Sequence, residues 1–62
     1  MNAKYELKKI KKETLEMLET QEMINNIIKI NGESEKLNLK YEELNKKISE
    51  NIRLIQELEQ YI

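Results

Sequence analysis

The chain has no cysteine, no histidine, no proline and a single glycine among its 62 residues. Without cysteine, neither a disulfide nor a thiolate metal site can form, and no redox compartment is indicated. Without histidine, the usual acid–base group near neutral pH is missing, along with the commonest transition-metal ligand. Long apolar runs are missing too: none exceeds two residues, as at Ile27-Ile28. That pattern predicts neither a transmembrane span nor a secretory signal, which makes the cytoplasm the expected location and leaves no membrane partner. Net charge is only -1, but its distribution is uneven. Residues 1–12 carry five lysines against Glu6, a local +4, and the remainder carries -5. The abundance of Asn, Lys, Ile and Glu would suit an AT-rich bacterial or phage genome.

What remains is the composition of long helices: Glu, Lys, Leu and Ile with one interruption at Gly32. Apolar residues three and four apart form two stripes. The first runs through Ala3, Leu7, Ile10, Thr14, Met17, Gln21, Ile24, Ile28 and Asn31. The second runs through Ser34, Leu37, Tyr41, Leu44, Ile48, Asn51, Ile55, Leu58 and Ile62. Folding the chain at Gly32 sets each position of the first stripe against one of the second, so that Leu7 meets Leu58, Met17 meets Ile48 and Ile24 meets Tyr41. The polar Thr14 then falls opposite the polar Asn51. This agreement predicts an all-α fold, an antiparallel, coiled-coil-like two-helix hairpin forming a single domain over residues 1–62. Helix 1 is expected over about 2–31, the turn over 32–34 and helix 2 over about 35–61. Asn31-Gly32 supplies the stop, Ser34 an N-cap oxygen, and Glu35 a negative charge where the helix dipole favours it.

A lone hairpin buries one narrow seam, whereas ordering a chain costs on the order of 1.5 kcal/mol per residue. Further apolar residues flank the seam. Leu15, Leu18 and Ile52 lie on one side; Met23, Ile27 and Ile30 lie on the other near the turn, with Leu54 and Tyr61 near the open end. The stripe is too wide for two strands, so dimerisation into a four-helix bundle is expected. A turn-to-termini arrangement would bring Met23, Ile27 and Ile30 of one chain near Leu54 and Tyr61 of the other. These eight flanking residues are the expected partner or dimer contacts.

Three polar features have competing readings. Thr14 with Asn51 is either a register pin or a polar ligand site within a bundle. Gln21, opposite Leu44, is expected to reach solvent or another chain. Lys4, Lys8, Lys9, Lys11 and Lys12 form either a solvated helix end or a nucleic-acid contact, with Tyr5 the nearby aromatic and Glu6, Glu13 and Glu16 diluting the field. The row Glu13, Glu16, Glu19 and Glu22 is either a solvated face or a docking surface for a basic partner. Catalytic carboxylates need a concave, partly dry site, which a slim bundle lacks. A di-metal bundle needs inward Glu and His, which this seam lacks. The chain is therefore expected to be non-enzymatic and without cofactor or metal.

In size and hairpin plan the chain resembles the plasmid-copy-number RNA-binding proteins of the Rop type, though no motif is shared and no RNA-contacting residue carries over. The stretch Tyr41-Glu42-Glu43-Leu44-Asn45 is similar to the Ser-Gln-Glu-Leu-Asp stretch of the small helical-hairpin aspartyl-phosphate phosphatases of sporulation phosphorelays. Glu43 and Leu44 match, while Tyr41 replaces the family's Ser and Asn45 its Asp. The resemblance implies a relative that binds its target without the carboxylate hydrolysis requires. The main expectation is a small protein–protein interaction module, a bacterial or phage regulator or inhibitor acting on a larger protein. The alternatives are a nucleic-acid-binding hairpin dimer using the lysine cluster, the degenerate phosphatase relative, and a purely structural oligomerisation module.

Overall fold

A computed structural model describes residues 2–62. Two helices, α1 (Ala3–Asn31) and α2 (Glu35–Glu59), pack against each other as a helical hairpin. Its Cα frame measures 44 × 14 × 13 Å. The radius of gyration is 14.3 Å, against about 10.6 Å for a compact domain of this length. The hairpin is therefore a rod, and most of its residues face outward.

Both helix starts lie in extended backbone, but only one is capped by a side chain. Asn2 Oδ1 accepts from the Tyr5 amide at 3.3 Å. Ser34, expected to supply a capping oxygen, makes no such bond; its carbonyl accepts from the Asn38 amide at 2.9 Å. α1 ends where the Gly32 amide donates to the Ile28 carbonyl at 2.8 Å, and Gly32 takes φ 86° and ψ 172°. That combination mirrors the extended region and is open to glycine because it has no Cβ. At the other end α2 stops at Glu59 rather than near residue 61, with Gln60 and Tyr61 in a turn. Nothing basic in the last turn of α2 complements the helix dipole there.

The predicted stripes and the buried or half-buried positions nearly coincide. Ile24, Leu44 and Ile48 form the core, with Met17, Ile28, Leu37 and Tyr41 packed against it. Ala3, Leu7, Ile10, Ile55 and Leu58 continue the seam toward the open end as half-buried residues. Asn31 and Ile62, at the two ends of the stripes, are exposed, and Glu6 is half-buried beside the seam. Among the described residues no helix is long and apolar enough to cross a membrane.

Two polar layers interrupt the seam. The first joins Thr14 to Asn51 as the stripes require: Asn51 Nδ2 donates to Thr14 Oγ1 at 3.2 Å and to Glu13 Oε1 at 3.3 Å, and Thr14 Oγ1 donates to the Ile10 carbonyl at 2.7 Å. The second corrects an expectation. Gln21 does not reach out to solvent; it is only 6% exposed and turned into the hairpin's own seam. Its Nε2 donates across the seam to the Tyr41 carbonyl at 3.1 Å and to Asn45 Oδ1 at 2.6 Å. Asn45 lies one residue beyond Leu44, on the flank, where the long glutamine side chain can reach it. A buried amide whose N–H groups both find acceptors contributes little net stability, but its loss leaves those acceptors unpaired. Gln21→Ala is therefore expected to lower stability by about 1–3 kcal/mol, and Gln21→Leu by less, since leucine also fills the space. Urea melts followed by circular dichroism would check the order of the two.

Candidate interaction surface

The heptad geometry of an antiparallel pair gives the hairpin two broad faces, one on each side of the seam. The first, here the Ile52 face, is bridged by an ion pair between Lys11 Nζ and Glu59 Oε2 at 3.7 Å. Both side chains are about half exposed, so solvent screens the pair and it adds little stability. Leu15, Leu18 and Ile52 lie at neighbouring levels here and make a small apolar patch near mid-length, with all three exposed.

The second, the Tyr61 face, is bridged by the Asn51–Glu13 hydrogen bond. Met23, Ile27 and Ile30 occupy its turn half, and Leu54 and Tyr61 its open half. All five are exposed, Ile30 at 81% and Tyr61 at 79%. The eight apolar residues singled out from sequence are thus outside the core, five on one face and three on the other. Leu39, 56% exposed on the outer edge of α2, belongs to neither group, and the sequence reading missed it. Its isolation from any apolar stripe left no signal.

The charges on the Tyr61 face are divided along its length. Its turn half carries Lys36, Lys40, Lys47 and Glu43, a net +2. Its open half carries Lys9 against Glu6, Glu13, Glu16, Glu50 and Glu57, a net -4. The Ile52 face is divided the other way and less steeply. Lys4, Lys8 and Lys11 with Glu59 give +2 in its open half, and Glu22, Glu35 and Glu42 with Lys29 give -2 in its turn half.

The lysine cluster does not gather on one face. Lys4, Lys8, Lys9, Lys11 and Lys12 are all exposed and wrap around α1. Three of them, Lys8, Lys9 and Lys12, join Tyr5 along one shallow groove. A second shallow hollow lies at the open end between Asn2, Ala3, Lys4, Leu58, Tyr61 and Ile62. The glutamates at 13, 16, 19 and 22 are exposed as well, and Glu13 alone of the four accepts the bond from Asn51.

In the stretch Tyr41–Asn45, Tyr41 is half-buried against the core, Leu44 is buried and Asn45 receives Gln21, so three of its five residues serve the seam. Among the described residues no group of three or more carboxylates, imidazoles or thiols is placed to hold a metal ion. Every buried side-chain nitrogen or oxygen among them has a hydrogen-bond partner, so no unpaired polar group points to an absent ligand. Comparison with family models, with curated proteins and with solved structures yields no match to this chain, so the two faces themselves are what a functional reading has to explain.

Proposed function

We propose that this chain is a small non-enzymatic protein-interaction module, a cytoplasmic regulator or inhibitor of bacterial or phage type that dimerises and acts by binding a larger protein. One observation carries the reading: three side chains form the buried core, while eleven large apolar side chains among the described residues stay exposed. A chain at the small end of independent folding gains most from covering such surface with protein. Apolar anchors then supply the affinity, and the charged rims set orientation and selectivity.

The reading is tested with a photo-crosslinking residue at Leu18, and the same residue at Lys46 on the outer edge as control. A discrete adduct with a larger protein from Leu18, absent from Lys46 and insensitive to salt, is the expected result. Adducts of twice the chain's own mass and nothing else would reduce the protein to an oligomerisation module.

The groove of Tyr5 with Lys8, Lys9 and Lys12 favours a second reading, contact with nucleic acid. It requires binding that weakens steeply with added salt and is lost when these lysines become glutamine.

A further inference from the structure

We infer that the Tyr61 face is covered by a second copy of this chain, packed turn to termini about a two-fold axis perpendicular to the helices, which leaves the Ile52 face for another partner. The inference rests on the dimerising reading above and divides the apolar flank that the reading left undivided. Three observations lead to it. A face of the 44 × 14 Å frame presents roughly 600 Å², against about 800 Å² per partner in a standard stable interface, so one occupant must take a whole face. The Tyr61 face carries five of the eight flanking apolar side chains. It is also the more steeply divided in charge, +2 in one half and -4 in the other, and a head-to-tail two-fold lays each half on the opposite half of the other copy.

The register follows from the helix period. Two copies of α2 (Glu35–Glu59) running antiparallel, shifted three residues from full overlap, set Lys40 against the partner's Glu57 and Lys47 against the partner's Glu50, whereas full overlap would set Lys47 against its own copy. The same superposition lays α1 along the partner's α1, with Met23 and Ile30 at the levels of the partner's Leu54 and the partner's Tyr61 across the diagonal of the bundle. A turn-to-turn arrangement would instead place Met23 and Ile27 over the lysines of α2. A closed two-fold pair is also the commonest solution for a self-complementary patch.

Within one chain Lys40 and Glu57 stand 17 residues apart on one helix, roughly 25 Å, too far to pair. Any coupling between them therefore reports contact between copies. The experiment is light scattering of the full chain across a hundredfold dilution, with helicity followed in parallel. Wild type is expected to be a dimer. Lys40→Glu and Glu57→Lys should each raise the dimer dissociation constant by about tenfold, because each places like charges together twice per dimer. The double variant should return to within about threefold of wild type, a rescue that mere misfolding cannot produce.

Three outcomes overturn the inference, and they differ in what else falls. A helical monomer at every concentration removes the dimer itself. A wild-type dimer untouched by both charge reversals and by Ile27→Glu, yet dissociated by Leu18→Glu, moves the interface to the Ile52 face and leaves the dimerising reading intact. A dimer weakened by each reversal but not rescued by the double variant rejects the register.

Discussion

Ile48→Ala is expected to remove most of the folded population at room temperature and micromolar concentration. Ile48 is 6% exposed and is one of three residues that form the core, with Ile24 and Leu44. Truncating a buried isoleucine to alanine costs about 2–5 kcal/mol, the lost transfer energy plus the cavity left behind. A chain of this size has a total stability of about 3–9 kcal/mol, and a core this small argues for the low end. The loss is thus comparable with everything the fold has. In a thermal melt followed by circular dichroism, the midpoint should fall by roughly 10 °C or more. Leu39→Ala is the control: Leu39 is 56% exposed on the outer edge, and its replacement should change stability by no more than about 0.5 kcal/mol. If Ile48→Ala melted with the control, the packing of Met17, Leu44 and Ile48 across the seam would be wrong.

The seam could be read from sequence because two constraints overlap in it. An antiparallel pair needs a stripe on each helix, and it needs the polar intruders to meet, as Thr14 and Asn51 do at 3.2 Å. Gln21 was less readable for a physical reason. Its side chain is long enough to leave the level of its own backbone, so it bonds to Asn45 on the flank rather than to the Leu44 that faces it. Stripes describe where Cβ atoms lie and not where the ends of long amides go. Helix ends were similarly ambiguous: Ser34 has the right side chain for a cap without making the bond, and α2 stops short of Tyr61. The flanking apolar residues were visible as departures from the heptad, and their exposure followed. What covers them is not written in one helix pair, because exposure defines a surface and not its occupant. The opposed charges on the two halves of the Tyr61 face became legible only once the hairpin placed both helices side by side.

Gly32→Ala tests whether the hairpin or the straight helix is the natural state of this sequence. Gly32 sits at φ 86° and ψ 172°, and an added Cβ would meet no atom within 4 Å. The penalty is therefore backbone strain alone, about 1–3 kcal/mol for an L-residue held in a region essentially reserved for glycine. That strain can be relieved without giving up the seam. If helix continues through residues 31–34, α1 and α2 become one rod about 85 Å long. The stripe steps three residues from Asn31 to Ser34 where the heptad would step four, so the rod has to change its winding locally there. Two such rods running antiparallel then re-form seam contacts between chains, Leu7 against the partner's Leu58 and Thr14 against the partner's Asn51. Exchange of identical elements of this kind needs little driving force when a hinge is strained. The expected result is a less stable hairpin with a growing population of extended dimer. Small-angle scattering would register that as a radius of gyration rising from 14.3 Å toward about 25 Å for the rod. D-alanine at position 32, introduced by chemical synthesis, takes this mirror-extended conformation without strain and should keep the compact form. An L-alanine variant that stayed as compact and as stable as the D-alanine chain would mean that Gly32 does not hold the turn.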